Sequence, residues 1–509
     1  MSLRFAPTPL AYPMVAPTPR SGGLAPELAA AVLPSPTSEA QVARLVQPDA
    51  VAVTTGQQPG LFTGPLYTVH KALSAVALAR QLEARWRRPV VPVFWLAGDD
   101  ADFAEASSVS WIGADGALAT ASLPARPADA PLTPMYRLPL GEGVVAALEA
   151  LAGGLPASEF RDATLDWLRR HYRPEATVAG SFGGAMAELL GPLGLVCLDS
   201  THPAVKQAAA PVLLNALEQS QALDEDLDAF AEAQGATART SGVTVGDGAA
   251  LVMLEASLGR DRLVRDGAQF VTRRSRERLS LAQLGAIAAT EPSRLSPNVL
   301  LRPAVESALL PTVAYLGGPG ELRYLALTPP VYRRLGIPRQ QPLPRWSGVI
   351  VEPKVDRVLD KFGLELAELF SPPGAVEAKV VRGQLPAEVN SALARLRATL
   401  EQEYAVLERA AVVIDPTLAR PAQAARQTAV AGTQELEKKL VQHLKRRQET
   451  ELGQLARART AVMPAGKPQE RGVTVAPFLA RYGPTLLAEL TDHFEAWYRD
   501  ALEGASAEA

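Results

Sequence analysis

Apolar and polar positions change period along this chain, and each change marks an element. Residues 51–53 are a β-branched apolar run that stops at a loop of Gly, Gln and Pro. Beyond the loop, Leu66, Val69, Leu73 and Val76 share one face at 100° per residue, which predicts a helix with a buried stripe. Thr63, Tyr67, His70, Lys71 and Ser74 fall on the opposite, polar side. Gly64-Pro65 marks the helix start, because proline suits the first helical position, and Thr63 is a candidate cap. Residues 89–96 read as a buried strand that ends in Ala97-Gly98-Asp99-Asp100-Ala101-Asp102. Strand, helix and strand in succession predict a parallel sheet with crossover helices, in which ligands sit beyond the carboxyl ends of the strands.

The same grammar returns later. Residues 195–198 are a strand candidate and 204–234 have helical spacing, while Ser181-Phe182-Gly183-Gly184 reads as a loop. Residues 243–274 alternate around glycines, as antiparallel hairpins do. Residues 299–301 read as a short strand meeting Arg302-Pro303, and 312–316 as another running into Gly317-Gly318-Pro319-Gly320-Glu321 before a helix over 322–327. From residue 371 the period becomes seven, with Leu393, Leu400, Leu407 and Ile414 in line. Asp415-Pro416-Thr417 breaks that helix, and a second over about 422–461 carries Leu436, Leu440, Leu452 and Leu455. The pair predicts an antiparallel coiled-coil hairpin. A last helix from Pro484, with Leu487, Leu490, Phe494 and Trp497 on one face, is expected to pack back on the main body. The expected domains are an α/β core over 1–370 with insertions near 111–160 and 235–290, a helical arm over 371–462, and a linker with the final helix over 463–509.

Composition narrows the function classes. The 509 residues are too many for one ordinary core, and 47% hydrophobic with 21% charged residues is a globular balance. A net charge of -3 gives no bulk attraction to nucleic acid or an anionic membrane. The single cysteine, Cys197, excludes an internal disulfide and any thiolate-rich zinc or iron–sulfur site, and sits in an apolar run as a buried, inert thiol. That usage fits a reducing cytoplasm. The proline-punctuated N-terminus makes a poor signal peptide and a poor spanning helix, so a cytoplasmic protein is expected. Neither a Walker A lysine motif nor a Gly-x-Ser-x-Gly elbow occurs.

Blocks spread along the chain carry a family resemblance. They are Gly56-Gln57-Gln58-Pro59-Gly60-Leu61-Phe62-Thr63-Gly64-Pro65-Leu66-Tyr67-Thr68 with Lys71, and Pro92-Val93-Phe94-Trp95-Leu96-Ala97-Gly98-Asp99-Asp100. Later come Ser296-Pro297-Asn298-Val299 with Arg302-Pro303, Leu310-Pro311-Thr312, Ala314-Tyr315, Gly318-Pro319, and Pro468-Gln469-Glu470-Arg471. In this order they resemble the bacillithiol-synthesis cysteine ligases, the BshC proteins. The chain departs from that pattern at Ala101, where a His is common, at residues 304–307, which read Ala-Val-Glu-Ser, and at Gly320, where a Ser is common. The resemblance implies a Rossmann-like core related to class I aminoacyl-tRNA synthetases, with connecting-peptide insertions and a coiled coil used for homodimerisation. It also implies the last step of bacillithiol assembly, joining cysteine to glucosaminyl malate.

Such an amide needs an activated carboxyl, which ATP can supply as an adenylate or an acyl-phosphate. The first glycine loop offers backbone N–H groups to an anion, so Gly56, Gln57, Gln58, Gly60, Thr63, Gly64 and Tyr67 are candidate nucleotide contacts, with Lys71 or His70 complementing the charge. Asp99 and Asp100 are candidates to hold an ammonium or a Mg²⁺ on phosphate, or to act as base for the attacking amine. Asn298, Arg302, Tyr315, Gly318 and Glu321 mark the second junction, where a guanidinium can pair with phosphate or with malate carboxylates. The structural alternatives are a tight turn, a loop cap and an Arg–Glu ion pair. With no structural zinc expected, thiol selection would rest on pocket shape and polar contacts. Another nucleotidyl-transferring ligase on the same core, or a non-catalytic dimeric nucleotide-binding scaffold, are the competing functions.

Overall fold

The computed structural model describes residues 3–20, 22–235, 241–243, 245–246, 248–447 and 449–507. The chain divides into two compact units: Phe5–Val349 with Gln469–Ala509, and Ile350–Pro468 with Met1–Arg4.

The larger unit is built on a parallel sheet of five strands: β1 (Val51–Gln57), β2 (Val90–Leu96), β3 (Val196–Asp199), β4 (Thr312–Gly317) and β5 (Gln341–Pro344). Their order is β5-β4-β1-β2-β3, a Rossmann-like arrangement. β2 and β4 are buried along their whole length, which is why they read as unbroken apolar runs instead of alternating. β1 registers with β2 from Val51 opposite Val90 to Gln57 opposite Leu96, so both strands end level. Gly56 sits where an added Cβ would come within 2.7 Å of the Trp95 carbonyl, so glycine permits this close pairing.

Helix α1 (Leu66–Trp86) crosses from β1 to β2. Its apolar stripe is buried as expected, but the opposite side is not solvated: His70, Lys71 and Ser74 are also fully buried. Helix α5 (Thr485–Ala507), the final helix, packs against α1 and covers His70 and Ser74, whereas Lys71 turns to the end of β1 and to Glu321. Phe494 of α5 stacks on Trp346 at 4.4 Å, and His70 meets the same indole edge-on at 4.9 Å. The Ser74 hydroxyl accepts from Trp346 N at 3.0 Å, and Tyr498 donates to the Pro344 carbonyl at 2.9 Å. Thr63 does not cap α1; its hydroxyl donates to the Phe62 carbonyl, and Leu66 N donates to Val473 O at 2.7 Å.

Two insertions interrupt the core. The first carries the hairpin Ser108–Ile112 with Leu118–Ser122 and three helices, Gly143–Gly154, Arg161–His171 and Val178–Leu190. The Ser181-Phe182-Gly183-Gly184 run lies inside the last of these and is not a loop. Thr177 caps that helix, and Gly183 leaves room for Leu33 and Leu96 to pack, so tertiary contact overrides glycine's poor helix propensity. The second insertion contributes an antiparallel sheet in the order Arg278–Ser280, Gln269–Thr272, Gly259–Asp266, Ala249–Ala256, Leu295–Pro297. The strand expected at 299–301 is therefore displaced to 295–297. Asn298 Oδ1 accepts from Leu300 N and Leu301 N, both at 3.0 Å, which curls 299–301 into the start of α3 (Arg302–Leu309), after α2 (Pro203–Glu218) and before α4 (Pro319–Leu325). Cys197 is buried in β3, and burial pushes its thiol up to about 12.

The smaller unit begins at Ile350 rather than near residue 371 and ends at Pro468. Its helices Ala387–Ile414 and Ala419–Arg447 lie antiparallel, followed by Glu449–Val462. Arg397 bridges to Glu437, and Arg426 reaches Glu401 and Glu408 at 3.8 Å. The heptad positions lose cover towards the turn: Leu393 is buried, Leu407 is 57% exposed and Ile414 80% exposed. Among the described residues no helix is long and apolar enough to cross a membrane.

Phe494 fills the junction of α1, α5 and Trp346 with no exposed surface. Phe494→Ala is expected to cost about 3–5 kcal/mol of stability, read from the urea midpoint of the full chain. An unchanged midpoint would mean that α5 is no part of that core.

Candidate functional site

β1 has β2 on one side and β4 on the other, so the chain's winding reverses direction between β1 and β4. A cleft of about 410 Å³ opens there, at the carboxyl ends of these strands. This is where an open α/β sheet leaves a crevice, because the following loops diverge to opposite faces.

A buried polar network forms its floor. Lys71, one turn into α1, donates to the Gly56 carbonyl, to Gln57 Oε1 at 3.0 Å and to Glu321 at 2.8 Å. Glu321 stands on α4 and also accepts from Gly318 N at 2.9 Å and from the Tyr315 hydroxyl at 2.8 Å. Burial pulls the Lys71 ammonium below the ordinary lysine range, with Glu321 pulling the other way. Burial would raise Glu321, but Lys71 and the Gly318 N–H outweigh it and hold the carboxyl below its usual value. Arg302 Nη2 reaches Tyr315 at 3.1 Å and Tyr324 at 3.3 Å, while its Nη1 reaches Glu306 at 3.3 Å. Burial pushes the Glu306 carboxyl up to about 7, against Arg302 and the Thr54 hydroxyl that donates to it. Arg302 stays charged.

The walls carry further charge. Asp99, just beyond β2, pairs with Lys206 of α2 at 2.5 Å, and Lys206 also donates to the Leu295 carbonyl at 2.9 Å. Asp100 Oδ1 accepts from Asp102 N, and Asp102 caps the next turn at Glu105 N. On the far side Arg345 clasps Glu470 through two bonds of 2.7 Å. Among the described residues its buried Nε has no partner, and neither has the buried Gln58 Nε2. Burial would raise Glu470, but Arg345 and His70 hold it well below the ordinary carboxylate range. Tyr67 lies beneath the guanidinium groups of Arg345 and Arg471, each 5.7 Å from its ring, and burial lifts its phenol to about 12.

Of the residues expected from sequence, Gly56, Gln57, Gln58, Tyr67, Asp99, Asp100, Asn298, Arg302, Gly318 and Glu321 line the cleft together. Lys71 and Tyr315 lie behind that lining and brace Glu321. Gly60, Thr63 and Gly64 do not reach it: Tyr172 ties this loop down by donating to the Gly60 carbonyl and accepting from Thr63 N. The first amide of α1 is occupied as well, Leu66 N donating to Val473 O. His70 is also elsewhere, between Glu470, Trp346 and Phe494. Burial lowers its imidazole, which stays neutral at ordinary pH.

The charged lining residues that the sequence reading did not assign are Lys206, Arg260, Arg345 and Arg471. Lys206 sits one turn into the helix after a strand end, a position that could have been searched. Arg471 belongs to a block already noted for resemblance. Arg260 and Arg345 had no local signal. Among the described residues no cluster of three or more His, Cys, Asp or Glu side chains is placed to hold a metal.

Comparison with known proteins agrees along nearly the whole chain. A family model described as the N-terminal Rossmann-like domain of bacillithiol biosynthesis BshC matches residues 27–346, and one for its C-terminal coiled-coil domain matches 348–498. Curated relatives bearing the name "Putative cysteine ligase BshC" include those of Chlorobaculum tepidum, 32% identical with 92% of this chain and 85% of the relative covered, and Koribacter versatilis, 33% identical with 90% and 84% covered. The Symbiobacterium thermophilum relative of the same name is 32% identical, with 90% and 85% covered. The chain belongs to the bacillithiol biosynthesis BshC family.

Glu306 gives the site a pH signature. Its folded value, about 7, lies above the unfolded carboxylate value, so its contribution to stability is complete below the unfolded value and is lost as pH rises through about 7. Glu306→Gln should therefore gain stability relative to the unaltered chain between pH 5 and pH 8, measured as the difference in urea midpoint. A constant difference across that range would show that Glu306 is ionised throughout.

Proposed function

We propose that the cleft joins the carboxyl of cysteine to the amine of glucosaminyl malate, after activation by ATP, in the cytoplasm. One observation carries this reading: carboxylates after β2 face glycine-terminated ends of β1 and β4, across a crevice that also holds guanidinium groups. That distribution suits a reaction with an amine on one side and phosphates on the other. In the proposed step the cysteine carboxylate attacks the α-phosphorus of ATP, breaking its bond to the bridging oxygen and expelling pyrophosphate, to give an acyl adenylate, or attacks the γ-phosphorus and expels ADP to give an acyl phosphate. The acceptor nitrogen then attacks the carbonyl carbon, the bond to the phosphate oxygen breaks, and AMP or phosphate leaves.

Within this reading Asp100 receives the amine and takes up its proton, and the Asp99–Lys206 pair fixes the loop that presents Asp100. Gln58 and the unpartnered Arg345 Nε are donors for phosphate oxygens. Lys71 works from behind by holding the Gly56 carbonyl and Glu321 in place. The apolar stretch formed by Trp95, Val205, Ala209 and Leu213 suits a thiol, which favours selection by shape and soft contact.

The test is incubation of the full-length protein with ATP, cysteine and glucosaminyl malate, following nucleotide products and the condensed thiol. A condensed thiol with AMP and pyrophosphate supports adenylation; with ADP it supports an acyl phosphate. Absence of condensed product while ATP binds would sink the ligase reading in favour of a nucleotide-binding scaffold. Asp100→Asn should lower kcat by about 10²–10⁴-fold if it is the base. The exposed apolar end of the helical arm supports a homodimer, so Ile414→Glu with Leu407→Glu should shift a dimeric mass in light scattering towards the monomer. A monomeric mass for the unaltered chain would overturn that part.

A further inference from the structure

On the antiparallel-sheet side of the cleft, one cation is held entirely by neutral partners. Arg260 follows the turn that opens strand Gly259–Asp266, and it lines the cleft. Its Nε donates to Ser296 Oγ at 3.0 Å and its Nη2 to the Pro297 carbonyl at 2.8 Å. Its backbone N donates to the Leu132 carbonyl at 2.8 Å, while Leu132 N donates to Leu258 O at 2.9 Å, so the first insertion clamps the turn. Gly259 has φ 83°, and an added Cβ would lie 2.4 Å from the Leu132 carbonyl oxygen; only glycine allows the clamp.

This effort of positioning is not spent on an ion pair. Glu255 lies directly opposite Arg260 in the ladder, yet its carboxylate is taken by Arg137 at 3.1 Å. Among the described residues, no carboxylate lies within ion-pair distance of Arg260. Lys206, Arg302 and Arg345 of the cleft walls and floor are matched to Asp99, Glu306 and Glu470, while Arg471 rests over the Tyr67 ring. The Nε and one Nη2 hydrogen of Arg260 are used on protein, which leaves the Nη1–Nη2 end of the fork for a ligand. Beside it, Asn298 spends its Oδ1 on Leu300 N and Leu301 N, which fixes Nδ2 as a remaining donor. Asn298 also lines the cleft.

We propose that Arg260 and Asn298 Nδ2 form a carboxylate subsite that receives the acid group carried by the amine acceptor. The identity of that acceptor rests on the ligase reading; the anion specificity does not. A planar carboxylate matches the free end of a guanidinium fork. The subsite belongs to the inserted sheet and not to the glycine-terminated ends of β1 and β4, where phosphate donors are proposed. An acceptor without the acid would leave the positioned guanidinium unpaired, so the same contact that binds the acid rejects the neutral analogue.

The test uses the full-length protein with Arg260→Met and Arg260→Lys, titrated by calorimetry with glucosaminyl malate, with methyl glucosaminide and with ATP, alongside the condensation assay. Arg260→Met should weaken glucosaminyl malate about 10–100-fold, the range for hydrogen bonds to a charged group, and leave methyl glucosaminide and ATP unchanged. Arg260→Lys should fall between. In turnover, KM for glucosaminyl malate should rise with kcat nearly constant. Weakened ATP binding instead would assign Arg260 to phosphate and overturn the proposal, as would equal loss for both acceptors, the mark of a structural role. If the unaltered protein binds the acid-bearing amine through Arg260 but condenses nothing, the subsite stands and the ligase reading falls. If it condenses and Arg260→Met behaves identically, the ligase reading stands and the subsite falls.

Discussion

The structure depends most on a charge inside α1. Lys71 has no exposed side-chain surface, and its ammonium is satisfied by the Gly56 carbonyl, Gln57 and the carboxylate of Glu321. Taking an ammonium out of water costs several kcal/mol, offset only when its hydrogens all find acceptors. That requirement pins three places at once: the end of β1, the start of α4 and the first turns of α1. Removing either charged partner leaves the other uncompensated, a loss of about 3–5 kcal/mol for buried pairs. The floor of the cleft is thus rigid for the reason that makes it costly.

A second charged contact extends this constraint to a distant part of the sequence. Arg345, after β5, binds Glu470 bidentately, and Glu470 also accepts from His70 of α1. Residues beyond 468 are thereby fixed beside the first crossover helix, where Arg471 can lie over Tyr67. The aromatic stack of Trp346 and Phe494 encloses the same region and keeps water from it. His70 and Ser74, polar residues of α1 that would ordinarily mark a solvated face, become internal because α5 covers them.

With floor and flank fixed, the two insertions supply what the core lacks. Residues 134–136 hold the acidic loop, since Met135 N donates to the Asp100 carbonyl and Tyr136 N to that of Gly98. The antiparallel sheet brings Arg260 and the segment leading to Asn298 against the opening. Core strands thus position the floor of the cleft, and inserted segments bring side chains and loops of both charges around it. That division accounts for how one crevice presents separate anion-seeking and cation-seeking walls.

Much of this was legible in residue pattern. Unbroken apolar runs in 51–53, 89–96 and 312–316 specified buried parallel strands, because a strand covered on both faces has no polar side to show. The glycine junctions after β1 and β4 and the acid pair after β2 follow from the rule that such sheets present ligands at strand ends. Heptad spacing specified the two long helices of the arm, since that repeat has few other solutions. What the pattern did not determine was which surface would be covered. Lys71, His70 and Ser74 had polar identity and helical spacing; the return of α5 from more than 400 residues away decided that His70 and Ser74 are buried, and Glu321, 250 residues on, decided it for Lys71. The strand at 295–297 was set by Asn298 bonding forward, a choice between local and ladder partners that propensity does not resolve. Arg260 lay in an ordinary alternating stretch. Its isolation from Glu255 exists only because Arg137, far off in sequence, folds close enough to claim that carboxylate. Period and composition record what each segment can bury on its own, whereas pairing of charges depends on which distant segments meet, and that is a property of the tertiary structure alone.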